Sequence, residues 1–135
     1  MKYKFLKHTA DVKYKSYGKT LNECFENSAV AMFKSMYPKK IKGELKKEIK
    51  VGGKNLESLM YSFLEELIIL LDSEDFFLSD IKVKIDEKNL TLKAIVSGDY
   101  AKNYDISLQV KAVTYNEMSI RKINGNWVCQ VVLDV

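Results

Sequence analysis

Apolar residues recur at helical spacing in two separate stretches of the chain. The first begins after Thr20, where Glu23 three residues later completes a capping-box pattern, and it should end before Pro38. The second begins after Asn55, a favourable N-cap residue, and carries a broad apolar face as far as Leu71. The pattern therefore predicts two amphipathic helices, and the width of the second apolar face indicates deep packing.

Most of the remaining apolar residues alternate with polar ones at period two, which is typical of strands that bury one face. The tripeptide Asn124–Asn126 predicts a tight hairpin before the last strand, because asparagine and glycine tolerate positive φ. Helices early and strands late indicate the α+β class, with two main helices packed on a mostly antiparallel sheet in a single domain, residues 1–135. The predicted strands are the stretch after Asp11, Leu45–Val51, Ile81–Ile85, residues 90–98, residues 106–115, residues 118–123 and residues 127–135.

Charge and composition narrow the classes of function. The chain has 22 basic and 18 acidic residues and a net charge of +4, but Arg121 is its only arginine. Arginine serves guanine and phosphate recognition better than lysine, so the composition argues against a dedicated nucleic-acid reader. The N-terminal residues lack the apolar run of a signal peptide, and the longest apolar run, Leu67–Leu71, is far short of the roughly 20 residues that span a bilayer. We therefore expect a cytoplasmic protein.

The two cysteines, Cys24 and Cys129, fall in a predicted helix and a predicted strand. They lack the CxxC spacing of a zinc site, and the chain has no second histidine to join them. We therefore expect two buried, reduced thiols.

Ionisable residues near both ends of the chain are candidates for a functional site. His8, the only histidine, lies three residues before Asp11, and Asp134 precedes the terminal carboxylate of Val135. Carboxylate and main-chain oxygens are the ligands that Ca²⁺ prefers, so these groups could form a metal site if the fold brings them together. Spacing alone favours a structural, hydrogen-bonded histidine and an Asx-turn or loop aspartate. The sequence contains no P-loop, GxSxG, HExxH, EF-hand or dinucleotide-binding motif.

Lys111 is a further candidate because it lies on the more polar face of the predicted strand 106–115. The alternative is an ordinary exposed lysine at the edge of a sheet. Spacing alone favours that alternative.

Four stretches of the sequence together resemble the archease family: HTADVKYKSYGKTLNECFENSAVAMF, LESLMYSFLEELIILLDSE, KAVTY and GNWVCQVVLDV. They cover essentially the whole chain in the order that the family shows. The resemblance implies a two-layer sandwich of helices and sheet with an inserted β-rich piece. One position departs from the family pattern, since members typically carry a histidine after KAVTY and this chain has Asn116.

Archeases are non-enzymatic cofactors of the tRNA-splicing RNA ligase of the RtcB type. The resemblance therefore implies a protein that speeds guanylylation of that ligase, allows its multiple turnover and relaxes its nucleotide requirement, and that meets RNA only through the ligase. The family's metal site, with calcium, maps onto Asp11, Asp134 and Val135, which we name the acidic tip. The family's functional lysine maps onto Lys111. His8 would orient Asp11 by a hydrogen bond, or would simply pack.

Two other classes of function stay open on the residues alone. Asp11, Asp134 and His8 could serve a metal-dependent phosphoester hydrolase, although the sequence offers no second ligand cluster and no evident general base. The chain could also be a plain RNA-binding module, although arginine is sparse and stacking aromatic residues form no recognisable pattern. As an activator, the protein should dock its acidic tip at the metal-dependent active site of the ligase.

Overall fold

A computed structural model describes residues 1–7 and 11–135 of the chain. This part of the chain forms two helices and seven strands, with a short 3-10 turn at Ala101–Asn103. In chain order the elements are β1 Tyr3–Leu6, β2 Val12–Gly18, α1 Leu21–Met36, β3 Leu45–Gly52, α2 Leu56–Glu74, β4 Phe76–Asp86, β5 Thr91–Tyr100, β6 Ala112–Ile123 and β7 Asn126–Asp134.

Side-chain caps fix where both helices begin. The hydroxyl of Thr20 accepts a hydrogen bond of 3.1 Å from the amide of Glu23, and α1 ends before Pro38. Asn55 accepts a 2.8 Å bond from the amide of Ser58, whose hydroxyl accepts a 3.1 Å bond from the amide of Asn55. The predicted start and end of α1 and the predicted start of α2 are therefore confirmed. Neither helix in the described residues is long and apolar enough to cross a membrane.

The strands form two antiparallel sheets. The larger sheet has the strand order β1-β2-β7-β6, and the smaller has the order β3-β5-β4. Both helices contact both sheets, since α1 packs against β2 and β4 while α2 packs against β6 and β3. This arrangement confirms the α+β class, and the smaller sheet is the β-rich piece inserted between α1 and β6. The large aromatic residues buried in the core are Tyr14, Phe25, Phe33, Phe63, Phe76 and Phe77.

The hairpin before the last strand follows the prediction. Asn124 and Gly125 have φ values of 50° and 81°, which are the left-handed conformations that the tight turn requires. On β7, Cys129, Val131 and Leu133 are completely buried against the helices. The alternate residues of β7 therefore belong to the face of the larger sheet that points away from the core.

The region before the hairpin differs from the prediction. Residues 106–115 and 118–123 do not form two strands, because one strand, β6, begins at Ala112 and continues through an irregular segment between Thr114 and Ser119. Residues 106–111 are not a strand, since β7 ends at Asp134 and no strand in the described chain continues beside them. The sequence also gave no indication of β1, a four-residue strand at the edge of the larger sheet.

Two side chains of α1 cover the exposed edge of β4. The amide of Val83 donates a 2.8 Å hydrogen bond to the carboxylate of Glu26, and the amide of Ile85 donates a 3.0 Å bond to the side-chain oxygen of Asn22. Unpaired amides on an edge strand invite pairing with another chain. These contacts protect the edge and fix α1 between the two sheets.

Candidate functional site

The strand register brings the two aspartates of the acidic tip to one end of the larger sheet. The pairing of β2 with β7 ends with Val12 opposite Leu133. Asp11 lies one residue before this pair and Asp134 one residue after it, so extending the antiparallel register by one step sets the two aspartates opposite each other. Residues that face each other across paired strands project to the same side of a sheet. Asp134 thus belongs to the face that points away from the core, and Asp11 directly precedes the strand that pairs with β7.

Lys111 lies on the other side of β7 from Asp11. Its amide donates a hydrogen bond of 2.8 Å to the main-chain oxygen of Asp134, and the next residue, Ala112, pairs with Asp134. The side chain of Lys111 is exposed. The prediction placed Lys111 within a strand, but the residue directly precedes β6. Asp11, Asp134 and Lys111 therefore lie on three neighbouring backbone segments, with Asp134 in the middle.

Core packing holds the middle segment in place. Leu133 is completely buried, and the half-buried side chain of Val135 also packs against the core. Asp134, which lies between them, is exposed. The last residues of β7 are thus docked against the core, and this docking leaves Asp134 exposed to solvent.

A salt bridge lies beside the acidic tip on the same face of the sheet. The ammonium group of Lys13 lies 3.0 Å from the carboxylate of Glu117, and only 17% of the Lys13 side chain is exposed. Gln130 donates a 2.8 Å hydrogen bond to the main-chain oxygen of Glu117, whose φ of 54° is left-handed. Such a conformation is uncommon for a residue other than glycine. The irregular segment of β6 therefore places Glu117 over β7, within reach of Lys13.

Asn116, the departure from the family pattern, lies exposed in the same irregular segment. The main-chain amide of Asn116 donates a 3.3 Å hydrogen bond to the hydroxyl of Thr114. That hydroxyl donates a 2.8 Å bond to the main-chain oxygen of Val132. The ring of Tyr115 stacks on Tyr61 of α2 with 4.4 Å between centroids and 9° between planes. Sequence reasoning missed these anchors, because the prediction placed Thr114 and Tyr115 inside the strand 106–115 and left only Asn116 and Glu117 between the two strands.

The donor groups of the acidic tip suit a hard divalent cation. Asp11, Asp134 and Val135 offer only oxygen atoms, which are the ligands that Ca²⁺ takes in irregular numbers and geometries. Within residues 1–7 and 11–135, no three side chains of His, Cys, Asp or Glu are placed to hold a metal ion together. The two aspartates would therefore need main-chain or terminal oxygens, water, or a partner's groups to complete a site. His8 lies outside the described residues, and its role stays a prediction.

An open groove adjoins Asp11. It has a volume of about 400 Å³, and β1, β2, α1 and the segment before β6 contribute to its walls. Phe5 is 44% exposed at this groove, where Lys34 and Ser107 add polar groups. A partner that contacts Asp11 would therefore find apolar and basic surface beside it.

Comparison with known proteins extends over almost the full chain. Residues 3–135 match the archease protein family. The chain is 39% identical to the protein archease of Sulfurisphaera tokodaii, over 99% of both chains. It is 41% identical to that of Pyrococcus furiosus, over 95% of this chain and 94% of the relative.

Solved structures agree with these sequence matches. A protein of Methanobacterium thermoautotrophicum, solved in solution, has a TM-score of 0.86 and 33% identity, with 98% of each chain covered. A crystal structure from Thermotoga maritima, described as that of an archease and possible chaperone, has a TM-score of 0.70. It is 19% identical over 96% of this chain and 94% of its own, and so supports the fold alone. From the full-length match and the identities above 30%, the chain belongs to the archease family.

Proposed function

We propose that this protein is a non-enzymatic activator of a tRNA-splicing RNA ligase of the RtcB type. It would promote guanylylation and multiple turnover of the ligase and relax its nucleotide specificity. The observation that carries the proposal is the convergence of Asp11, Asp134 and Lys111 at one exposed end of the larger sheet. Membership of the archease family supports it.

The charge of the acidic tip favours docking at a site that holds cations. The two aspartates lie at one end of the larger sheet in a chain whose net charge is +4, so the tip places acidic groups on a molecule that is basic overall. The proposed ligands of a cation such as Ca²⁺ are the side chains of Asp11 and Asp134 with an oxygen of Val135. These groups leave ligand positions open, so the ion would be shared with water or with acidic groups of the ligase.

Lys111 would contribute a compact positive charge next to the acidic tip. Lysine is a flexible point charge that pairs readily with carboxylates or phosphates. Since its amide is hydrogen-bonded to Asp134, the backbone of Lys111 is fixed while its exposed ammonium group can reach a partner. Lys111 would therefore position an acidic group of the ligase or its nucleotide against the tip.

Activation requires that the protein bind one state of the ligase better than another. A protein that bound the guanylylation-competent and incompetent states equally would shift nothing. Coupling free energies between sites are typically about 1–3 kcal/mol, which corresponds to a roughly 5–150-fold change in the equilibrium. If the protein leaves after guanylylation, one molecule can serve many ligase molecules.

The test is a ligation time course at limiting ligase, with and without this protein. Asp11→Asn, Asp134→Asn and Lys111→Ala should remain folded and should each reduce the stimulation of guanylylation and turnover by about tenfold or more. The matched controls are Asp72→Asn on the exposed face of α2 and Lys88→Ala in the β4–β5 turn, which make the same chemical changes away from the tip. Full stimulation by the three tip variants would refute the assignment.

The wild type and the tip variants also distinguish the proposed activator from a hydrolase and from an RNA-binding module. Phosphoester hydrolysis by the purified protein without ligase, lost in the tip variants, would indicate a metal-dependent hydrolase instead. Salt-dependent binding of RNA by the isolated protein, unchanged in the tip variants, would indicate an RNA-binding module. Stimulation that requires both the ligase and the tip would exclude both.

A further inference from the structure

We propose that Cys24 and Cys129 are a site of intramolecular disulfide formation that links α1 to β7. The two residues are 105 positions apart in sequence, yet their sulfur atoms lie 2.7 Å from each other. Both are free thiols and both side chains are completely buried. The proposal is independent of the proposed role in RNA ligation.

The backbone around the two sulfurs explains why they meet. Cys129 lies opposite Ser16 in the pairing of β7 with β2. The thiol of Cys24 donates a 3.4 Å hydrogen bond to the main-chain oxygen of Ser16, and the hydroxyl of Ser16 donates a 3.2 Å bond to the main-chain oxygen of Cys24. Ser16 therefore connects the first turn of α1 to the strand that faces Cys129, and the two thiols share one buried position.

A glycine allows this close approach of helix and strand. A Cβ atom at Gly18 would lie 2.4 Å from the amide nitrogen of Cys24 and 2.7 Å from the main-chain oxygen of Thr20. A side chain there would push the first turn of α1 away from β2 and separate the sulfurs. The packing of β2 against α1 thus fixes the distance that disulfide formation requires.

The geometry needs little change to form the bond. The sulfur atoms of a disulfide are about 2.04 Å apart, so the two atoms must close by roughly 0.7 Å from their present contact of 2.7 Å. A hydrogen bond from Cys129 lowers the pKa of the Cys24 thiol, while burial opposes that effect. The hydrogen bond to Cys24 and burial both raise the pKa of Cys129. In the folded protein Cys24 is therefore the more acidic of the two thiols.

The oxidant is a small disulfide such as oxidised glutathione. The thiolate of one of the two cysteines attacks one sulfur of the oxidant, forming a mixed disulfide and releasing one small thiol. The other cysteine then gives up its proton to the medium and attacks the protein sulfur of the mixed disulfide, releasing the second small thiol. Two protein thiols are oxidised and one small disulfide is reduced to two thiols. Because both sulfurs are buried, the exchange proceeds while the first turn of α1 is undocked or before the chain has folded.

Disulfide formation should stabilise the fold without disturbing the acidic tip. The closed loop spans more than a hundred residues, and loops of that length remove much conformational entropy from the unfolded chain. Cys129 points into the core from β7, whereas Asp134 belongs to the opposite face of the same strand. The oxidised protein should therefore unfold at a higher temperature and retain any activity of the tip.

The experiment refolds the full chain in glutathione buffers of defined ratio and then alkylates free thiols. In oxidising buffer we expect a monomer that is lighter by two hydrogen atoms, resists alkylation and yields one linked peptide pair containing Cys24 and Cys129. Its melting temperature should rise by roughly 10 °C and return to the reduced value after unfolding in reductant. Native protein should oxidise more slowly than refolding protein.

The controls are Cys24→Ala and Cys129→Ala, which cannot form the bond. The melting temperatures of both variants will be lower than that of the wild type. Each variant is therefore compared with itself in reducing and oxidising buffer, and neither should respond to the glutathione ratio. Two alkylatable thiols after refolding in oxidising buffer would overturn the proposal. So would linkage only between chains, or an equal response to oxidant in the single-cysteine variants. These readouts do not involve the ligase, so failure of the proposed activator role would leave them unchanged.

Discussion

Three lysines face one another across the smaller sheet. Lys93 of the central strand β5 lies directly opposite Lys50 of β3 on one side and Lys84 of β4 on the other. All three side chains are exposed on the face away from the helices. Like charges directly opposite in a sheet are destabilising, so this row costs free energy in the folded protein. Lys93→Glu should therefore raise stability by converting two repulsive pairs into two attractive ones.

The pairing of β5 with its two neighbours determines how much stability Lys93→Glu should add. A charged cross-strand pair is worth about 0.2–1 kcal/mol, and exposure puts these pairs near the low end. Two pairs that change sign should then increase the free energy of unfolding by about 1 kcal/mol. That increase would raise the melting temperature by roughly 3–5 °C in a domain of 135 residues. Lys84→Glu changes only one pair of the row and should give about half the gain.

The assay is urea unfolding of the wild type, Lys93→Glu and Lys84→Glu at low and at high salt. Both variants alter the net charge by the same amount, so a general relief of positive charge would stabilise them equally. The Debye length falls from about 10 Å at 0.1 M salt to about 3 Å at 1 M, so the gain should shrink at high salt. Equal stability of the two variants, or a gain that salt does not reduce, would refute the pairwise explanation.

Two other changes test the packing of α1 and the titration of a buried carboxylate. Gly18→Ala should destabilise the protein by about 3 kcal/mol, because the new Cβ would lie 2.4 Å from the amide nitrogen of Cys24. The control is Gly43→Ala, whose Cβ would meet only a side-chain atom at 3.6 Å. Thermal unfolding should show almost no change in stability for this control. The hydrogen bond from Tyr104 lowers the pKa of Asp99, so its stabilising contribution is present above the unfolded pKa and is lost as pH falls through the lower folded value. The melting temperature of Asp99→Asn should therefore fall less steeply than that of the wild type below about pH 4, and parallel curves would exclude the Asp99 contribution.

The sequence alone identifies the elements whose signals are local. Thr20 and Asn55 reveal where the helices start because a cap depends on residues within one turn. The turn at Asn124 and Gly125 is equally local, since it depends on which residues tolerate positive φ. The alternation along β7 separates Cys129, Val131 and Leu133, which are completely buried, from the other face, but it does not explain the burial of Val132 on that other face.

What the sequence could not supply is the pairing of distant strands. Periodicity shows that residues 106–111 suit a strand, but a strand also needs a neighbour, and β7 ends at Asp134. The contact between Cys24 and Cys129 was missed for the same reason, since neither spacing nor composition indicates that α1 lies over that part of β7. Family resemblance predicted Asp11, Asp134 and Lys111 as site residues, whereas the register of β2 and β6 with β7 explains why they lie on neighbouring backbone segments.

The acidic tip exists only when the larger sheet is formed. Asp11 and Asp134 come from opposite ends of the chain, and β7 joins them by pairing with β2 on one side and with β6 on the other. Bringing two carboxylates to one end of a sheet is unfavourable by itself, since like charges repel each other. The buried packing of Leu133 and the docking of Val135 hold Asp134 there in spite of that repulsion. A bound cation would relieve the repulsion, so cation binding and the stability of this end of the sheet should rise together. A protein that has lost the pairing of β2 with β7 should lose the acidic tip before it loses its helices.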